Sequence, residues 1–126
     1  MLEVDEISVL LGGKAGDGIR AGTTLLGRII GRYGYRIFVY DDYPSIIRSG
    51  HNFSVLRASE RKISANLSNV DVLLAFDKRT VENHLPKLKK DGLLIYDESN
   101  RGLKEYCESL TNSKLGLDIK GILRRI

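Results

Sequence analysis

The stretch that most restricts the fold is "ISVLL" followed directly by "GGKAGDGIRAG", residues Ile7 to Gly22. A short unbroken apolar run reads as a strand buried on both faces. After the glycines, Ile19, Thr23, Leu26, Ile30 and Tyr33 recur at helical spacing, which predicts an amphipathic helix over Gly18–Tyr33. Gly34 stands where a left-handed C-terminal cap is expected, and "YRIFVYDD" (Tyr35–Asp42) reads as a second strand. Strand, glycine loop, helix and strand make a βαβ unit. Such a unit sets a helix on the face of a parallel sheet, so the fold class is α/β.

The next segment breaks the alternation. "YPSIIRSGHN" is a loop marked by Pro44 and Gly50. "NFSVLRA" and "KISANL" then flank the polar turn "SER", with Ile63, Ala65 and Leu67 alternating with polar residues, which predicts a half-exposed β-hairpin rather than a crossover helix. Val70–Phe76 and Gly92–Ser99 are further buried strands. "TVENHLPKLKK" between them reads as a helix interrupted or begun near Pro86, and "GLKEYCESL" and "LDIKGILRRI" as helices. The expected architecture is a three-layer, Rossmann-like α/β domain, its mostly parallel sheet carrying an inserted hairpin. At 126 residues, residues 1–126 form a single domain.

Composition narrows the function. One cysteine, Cys107, allows no internal disulfide, which suits a cytoplasmic protein, and it cannot hold an iron–sulfur cluster, which needs several thiolates. His51 and His84 are too far apart in sequence for a metal-ligand pattern. The start "MLEVDEIS" is acidic where a signal peptide is basic, and no apolar run approaches the roughly 20 residues that span a bilayer. With no Trp and few aromatics, a base-stacking surface for nucleic acid is not expected. The net charge of +4 favours acidic ligands or partners only weakly.

The glycine loop matches no common fingerprint. Its spacing is Gly13-x-x-Gly16-x-Gly18, not G-x-G-x-x-G, and no Gly-Lys-Ser/Thr closes it as a P-loop. Its physics still suits an anion: Gly16 and Gly18 leave the backbone bare, and a helix start offers N–H groups and a partial positive charge. Asp17 opposes a phosphate there unless it caps the helix. Asp41 and Asp42 end the second strand, where a ribose-binding acid stands in dinucleotide folds. A stand-alone dinucleotide-binding or regulatory module is therefore an alternative. A purely structural interaction domain, whose loop is only a turn, is another.

Four segments in order, "GGKAGDGIRAG", "DDYPSIIRSGHN", "VDVLLAFD" and "KDGLLIYDES", resemble the gamma subunit or gamma domain of the 2-oxoacid:ferredoxin (acceptor) oxidoreductases. The likeness is greatest to the variant fused to the N-terminus of the alpha subunit, and it spans Ile7 to Ser99. The resemblance implies an enzyme that oxidatively decarboxylates a 2-oxoacid on thiamine diphosphate, passes electrons through iron–sulfur clusters to ferredoxin and releases an acyl-CoA. It implies alpha and beta partners that hold thiamine diphosphate and substrate, with the clusters also in other parts. For this chain it implies a non-catalytic role, without activity alone, contributing to assembly and to a shared coenzyme A site through Gly13, Gly16, Gly18, Arg48, Ser49 and Gly50. The chain departs from the family in two places. Ser49 replaces the first glycine of the usual Arg-Gly-Gly, and the chain ends at Ile126, where the family domain continues.

The other polar residues carry weaker readings. Arg48 suits bidentate pairing with a phosphate or carboxylate. His51 is a residue type suited to proton transfer but has no visible nucleophile to serve, and Asn52 reads as a loop-fixing residue. Cys107 fits a half-buried helical thiol without an activating His. Lys87, Lys89, Lys90, Arg124 and Arg125 read as solvated helix ends.

Overall fold

The computed structural model describes residues 6–14, 16–42, 51–60 and 69–124. Its elements run β1 (Glu6–Lys14), α1 (Ile19–Gly31), β2 (Arg36–Asp42), β3 (His51–Ser59), β4 (Val70–Ala75), α2 (Lys78–His84), β5 (Leu88–Asp97), α3 (Arg101–Glu108), β6 (Lys114–Leu117) and α4 (Ile119–Arg124). The six strands form one sheet in the order β2-β3-β1-β4-β5-β6. β1, β4, β5 and β6 pair in parallel. β3 alone is reversed, antiparallel to both β1 and β2, so β2 runs in the same direction as β1. The expected parallel βαβ unit is therefore present, with one reversed strand let in between its two strands.

The sheet separates two apolar layers by the alternation of side chains along a strand. Leu10, Leu73 and Leu94 face one way and pack with Val81 of α2 and Leu103 and Cys107 of α3. Val9 and Leu11 face the other way and pack with Ile19 and Leu26 of α1. Leu10, Leu73 and Leu94 are fully buried, each worth about 1.5–3 kcal/mol of transfer free energy. This is the expected three-layer arrangement.

Caps fix where the helices begin. Asp77 accepts from the Thr80 backbone N–H at 3.0 Å and starts α2. Asn100 accepts from the Leu103 N–H at 3.2 Å and starts α3. Each satisfies an amide that a helix start leaves open. Gly34, at φ 91°, closes the turn after α1 as expected.

Two expectations are corrected, and one element is added. The strand foreseen as one arm of a half-exposed hairpin is a central strand, with Leu56 and Ala58 fully buried. Its other expected arm lies in residues 61–68, outside the described residues. The helix expected over "TVENHLPKLKK" is α2 followed by a 3-10 turn at Leu85–Lys87, and Leu88 already belongs to β5. Pro86 sits in that turn; it lacks an N–H and disfavours continued α geometry at the residue before it. Finally, β6 was not anticipated. Its four residues, "KLGL", are too few to show a period.

Candidate functional site

The glycine loop leaves β1 at the carboxyl end of the parallel strands, the rim where open α/β sheets bind ligands. Gly12 is wedged against α2: a Cβ there would lie 2.4 Å from Thr80 Cγ2. Its carbonyl accepts from the Phe76 N–H at 3.0 Å, tying the loop to the end of β4. Gly13 is similarly enclosed, by Asp17, Ile19 and Phe76. Gly16 and Gly18 differ in kind. Both have positive φ, 97° and 79°, and a Cβ on either would meet nothing within 4 Å. They are glycines for backbone conformation, and open space lies over them.

Asp17 does not cap α1. Its Oδ2 accepts from the Lys14 N–H at 2.8 Å while its own N–H donates to the Lys14 carbonyl at 3.0 Å, a reciprocal clasp that holds the turn. Gly18 is the N-cap and supplies no side-chain bond. The N–H groups of the first turn of α1, which a helix cannot satisfy internally, thus border the surface uncapped.

Two clefts flank this loop and share Lys14. One, of about 450 Å³, is lined by Lys14, Gly16, Gly18, Ile19, Arg20, Ala21 and Asn52. The other, of about 360 Å³, is lined by Lys14, Asp17, Phe76, Asp77, Asp97, Ser99 and Asn100. Their electrostatics are opposed. The first sets two cationic side chains beside an uncapped helix start, a combination that favours an anion. The second gathers three aspartates, each already spent on local structure: Asp17 on Lys14, Asp77 on Thr80, and Asp97 on the Ser99 N–H and hydroxyl. The first cleft is the ligand candidate.

Asn52 belongs to that cleft through strand register, since it pairs with Gly13 across β1 and β3. Its Oδ1 is buried and has no hydrogen-bond partner among the described residues. An acceptor placed there suits an N–H or O–H of a ligand. Sequence reasoning assigned Asn52 only to loop fixing; the signal that places it is the β1–β3 register, which a single sequence does not show.

Of the expected glycines, Gly16 and Gly18 line this cleft, whereas Gly13 does not and is enclosed by Asp17, Ile19 and Phe76. Arg48, Ser49 and Gly50 lie outside the described residues. His51 pairs with Lys14 in register and meets His84 beneath the loop, Nε2 to Nε2 at 2.7 Å. Burial, helped by the nearby Lys87 and His51, lowers the His84 pKa to about 4. Asp41 ends two strands away from the loop, accepting from the Ser54 hydroxyl. Cys107 is buried, its thiol pushed up to about 11 by burial. Among the described residues, no group of three or more His, Cys, Asp or Glu is placed to hold a metal ion. No helix among them is long and apolar enough to cross a membrane.

Comparison with known proteins matches residues 8–125 to the domain described as pyruvate ferredoxin/flavodoxin oxidoreductase. The chain belongs to that family. Over 119 residues it is 31% identical to a 2-oxoacid:ferredoxin oxidoreductase subunit alpha from a Sulfolobus species, covering 94% of this chain and 18% of the relative. The chain thus spans under a fifth of the length of that relative. Among solved structures, the pyruvate oxidoreductase subunit PORC of Thermotoga maritima superposes with a TM-score of 0.72 at 16% identity, over 97% of this chain and 67% of the other. The 2-oxoglutarate:ferredoxin oxidoreductase of Magnetococcus marinus, solved with 2-oxoglutarate, coenzyme A and succinyl-CoA bound, gives 0.68 at 24% identity, over 75% of this chain and 17% of that one. These two likenesses establish the shared α/β fold.

Proposed function

We propose that this chain is a gamma-type domain or subunit of a cytoplasmic 2-oxoacid:acceptor oxidoreductase, and that it contributes one wall of the coenzyme A site. The observation that carries the reading is the uncapped start of α1 opening, with Lys14 and Arg20, into the cleft over Gly16 and Gly18. A phosphate of coenzyme A takes the helix N–H groups and the two cations, and Asn52 Oδ1 accepts from an N–H of the ligand. Gly13 shapes the loop beneath, and the same reading assigns Arg48, Ser49 and Gly50, which follow β2 in the chain, to the coenzyme A site. The Magnetococcus enzyme of similar fold holds coenzyme A, in keeping with this.

Thiamine diphosphate and the iron–sulfur clusters belong to alpha and beta partners in this reading, with ferredoxin reached indirectly. The chain's one cysteine cannot ligate a cluster. It binds and positions, and supplies no catalytic group.

The dinucleotide alternative is disfavoured by one observation. The ribose-binding acid of such folds ends the strand next to β1, whereas here β3 intervenes. Asp41 is carried about 5 Å further out, one strand spacing.

The test is calorimetric titration with coenzyme A, free and in the assembled enzyme. The few hydrogen bonds of one wall, set against the ordering cost of a flexible ligand, predict affinity no tighter than about millimolar for the chain alone. Assembly tightens it, and Gly16→Val raises the KM for coenzyme A more than it slows 2-oxoacid decarboxylation. An unchanged KM in the folded, assembled variant rejects the site. Micromolar NAD binding, lost in Asp41→Ala, establishes the alternative instead.

A further inference from the structure

The two edges of the sheet are built differently. β6 is four residues long and begins with Lys114, and both shortness and an edge lysine discourage pairing with another chain. β2, at the other edge, is seven residues long, "RIFVYDD", with neither lysine nor proline. Among the described residues no strand pairs its outer side. Phe38, Val39 and Tyr40 are 43%, 40% and 54% exposed in succession. A row of open backbone groups beside exposed aromatic and β-branched side chains is a template for strand addition.

We propose that β2 is a self-association edge, pairing antiparallel with β2 of a second copy of this chain about a two-fold axis at Val39. The strand's own sequence selects this occupant. A two-fold perpendicular to the sheet keeps each side chain on its face, so only positions of like parity stand opposite one another. Centred on Val39, the register sets Phe38 opposite Tyr40, Val39 opposite Val39, and Arg36 opposite position 42, an aspartate. The strand is basic at its start and acidic at its end, so reversal makes it complementary to itself. Aromatic and opposite-charge pairs directly across a ladder are the stabilising ones. Centred on Phe38 instead, Arg36 faces Tyr40 and both aspartates overhang. The charges therefore fix the register.

The faces agree with such a seam. Ile37 lies beside Gly27 and Gly31 of α1, so the odd positions of β2 face that helix and Phe38 and Tyr40 face away from it. The pairing joins two sheets edge to edge and makes the aromatic pairs continuous across the seam.

Analytical ultracentrifugation of the full chain over a wide concentration range tests this. The expected result is a reversible species of twice the 14.1 kDa chain mass. Arg36→Asp and Asp42→Arg each place like charges across the seam twice, by symmetry, and each weakens dimerisation roughly tenfold or more. An equal mixture of the two variants restores it, because the acidic strand then meets the basic one. That rescue separates loss of pairing from loss of fold. A wild-type chain that stays monomeric at high concentration overturns the proposal. So does a dimer indifferent to both reversals, or a mixture no more associated than its components.

Discussion

His51 and His84, 33 positions apart in the chain, share a hydrogen bond between their Nε2 atoms at 2.7 Å in the interior. Two imidazole nitrogens at that distance hold one proton between them, one donating and the other accepting. Lys87 Nζ lies 3.4 Å from His84 Nδ1, and an ammonium only donates, so Nδ1 of His84 is the accepting nitrogen. His84 then carries its proton on Nε2 and gives it to the bare Nε2 of His51. Phe53 packs against both rings, its centroid 4.4 Å from that of His84 and 5.9 Å from that of His51.

This chain of donors makes a spectroscopic prediction. Long-range nitrogen–proton correlation spectra at neutral pH should show His84 as the Nε2–H tautomer and His51 protonated on Nδ1. Lys87→Met removes the donor that fixes His84 and should let the tautomers mix. A neutral His84 with its proton on Nδ1 contradicts the arrangement.

The same pair predicts acid sensitivity. Burial, then Lys87 and His51, lower His84 from 6.5 to about 4, while Asp77 acts weakly in the other direction. The folded state therefore binds this proton less readily than the unfolded chain. The contribution to stability is complete above about pH 6.5 and is lost as pH falls toward about 4. At ~1.4 kcal/mol per pH unit it is on the order of 3 kcal/mol at most. Urea unfolding across that window should show the midpoint falling with pH, and His84→Gln should flatten the dependence. An equally steep fall in the variant assigns the sensitivity elsewhere.

Much of this fold was legible in the residues from Ile7 to Asp42, because strand, loop and helix signals there are local. β3 was not. The alternation that suggested a hairpin lies at Ile63, Ala65 and Leu67, beyond β3 in the chain, and only the pairing of Val9 with Leu56 and of Val39 with Leu56 reveals β3 as a strand enclosed on both sides. The histidine contact escaped for the same reason: it joins the start of β3 to the end of α2, a closure that no spacing encodes. The glycines were legible as a loop but not as two kinds. Gly12 is set by Thr80, distant in sequence, and Gly13 by Asp17, Ile19 and Phe76 together, whereas Gly16 and Gly18 are set by their own backbone angles.

Cys107 should behave as a core thiol. It is fully buried among Leu10, Leu73, Leu94 and Leu103, and its pKa is pushed up to about 11, so little reactive thiolate exists at neutral pH. Labelling by a disulfide reagent should be slow in the native chain and rapid in denaturant. Immediate stoichiometric labelling of the native protein would place the thiol outside the core.

The cap on α2 has a measurable worth. Asp77 accepts from both the backbone N–H and the hydroxyl of Thr80, at 3.0 and 2.5 Å, and is itself buried. Asp77→Ala should cost about 0.5–2 kcal/mol of stability, the usual range for losing such a cap. Asp77→Asn, which keeps an accepting oxygen, should recover much of it. Equal loss in both variants would show that charge, rather than the cap, matters.

The two kinds of glycine separate fold from site. A methyl at Gly12 collides with Thr80, at 2.4 Å from Cγ2 and 2.9 Å from Oγ1, and Thr80 is fully buried and held by Asp77. The collision forces either β1 or α2 to shift, so Gly12→Ala should destabilise by about 1–3 kcal/mol as an overpacking change. At Gly16 the same methyl meets nothing, and only the left-handed backbone resists it, at roughly 1–2 kcal/mol. Combining Gly12→Ala with Thr80→Ser, which removes the methyl nearest the collision, should restore part of the lost stability. The same second change should do nothing for Gly16→Ala. Thermal unfolding of the five chains, wild type included, decides this. Equal rescue of both glycine variants would mean that the loop is strained as one unit and that the wedge between β1 and α2 is not what holds it.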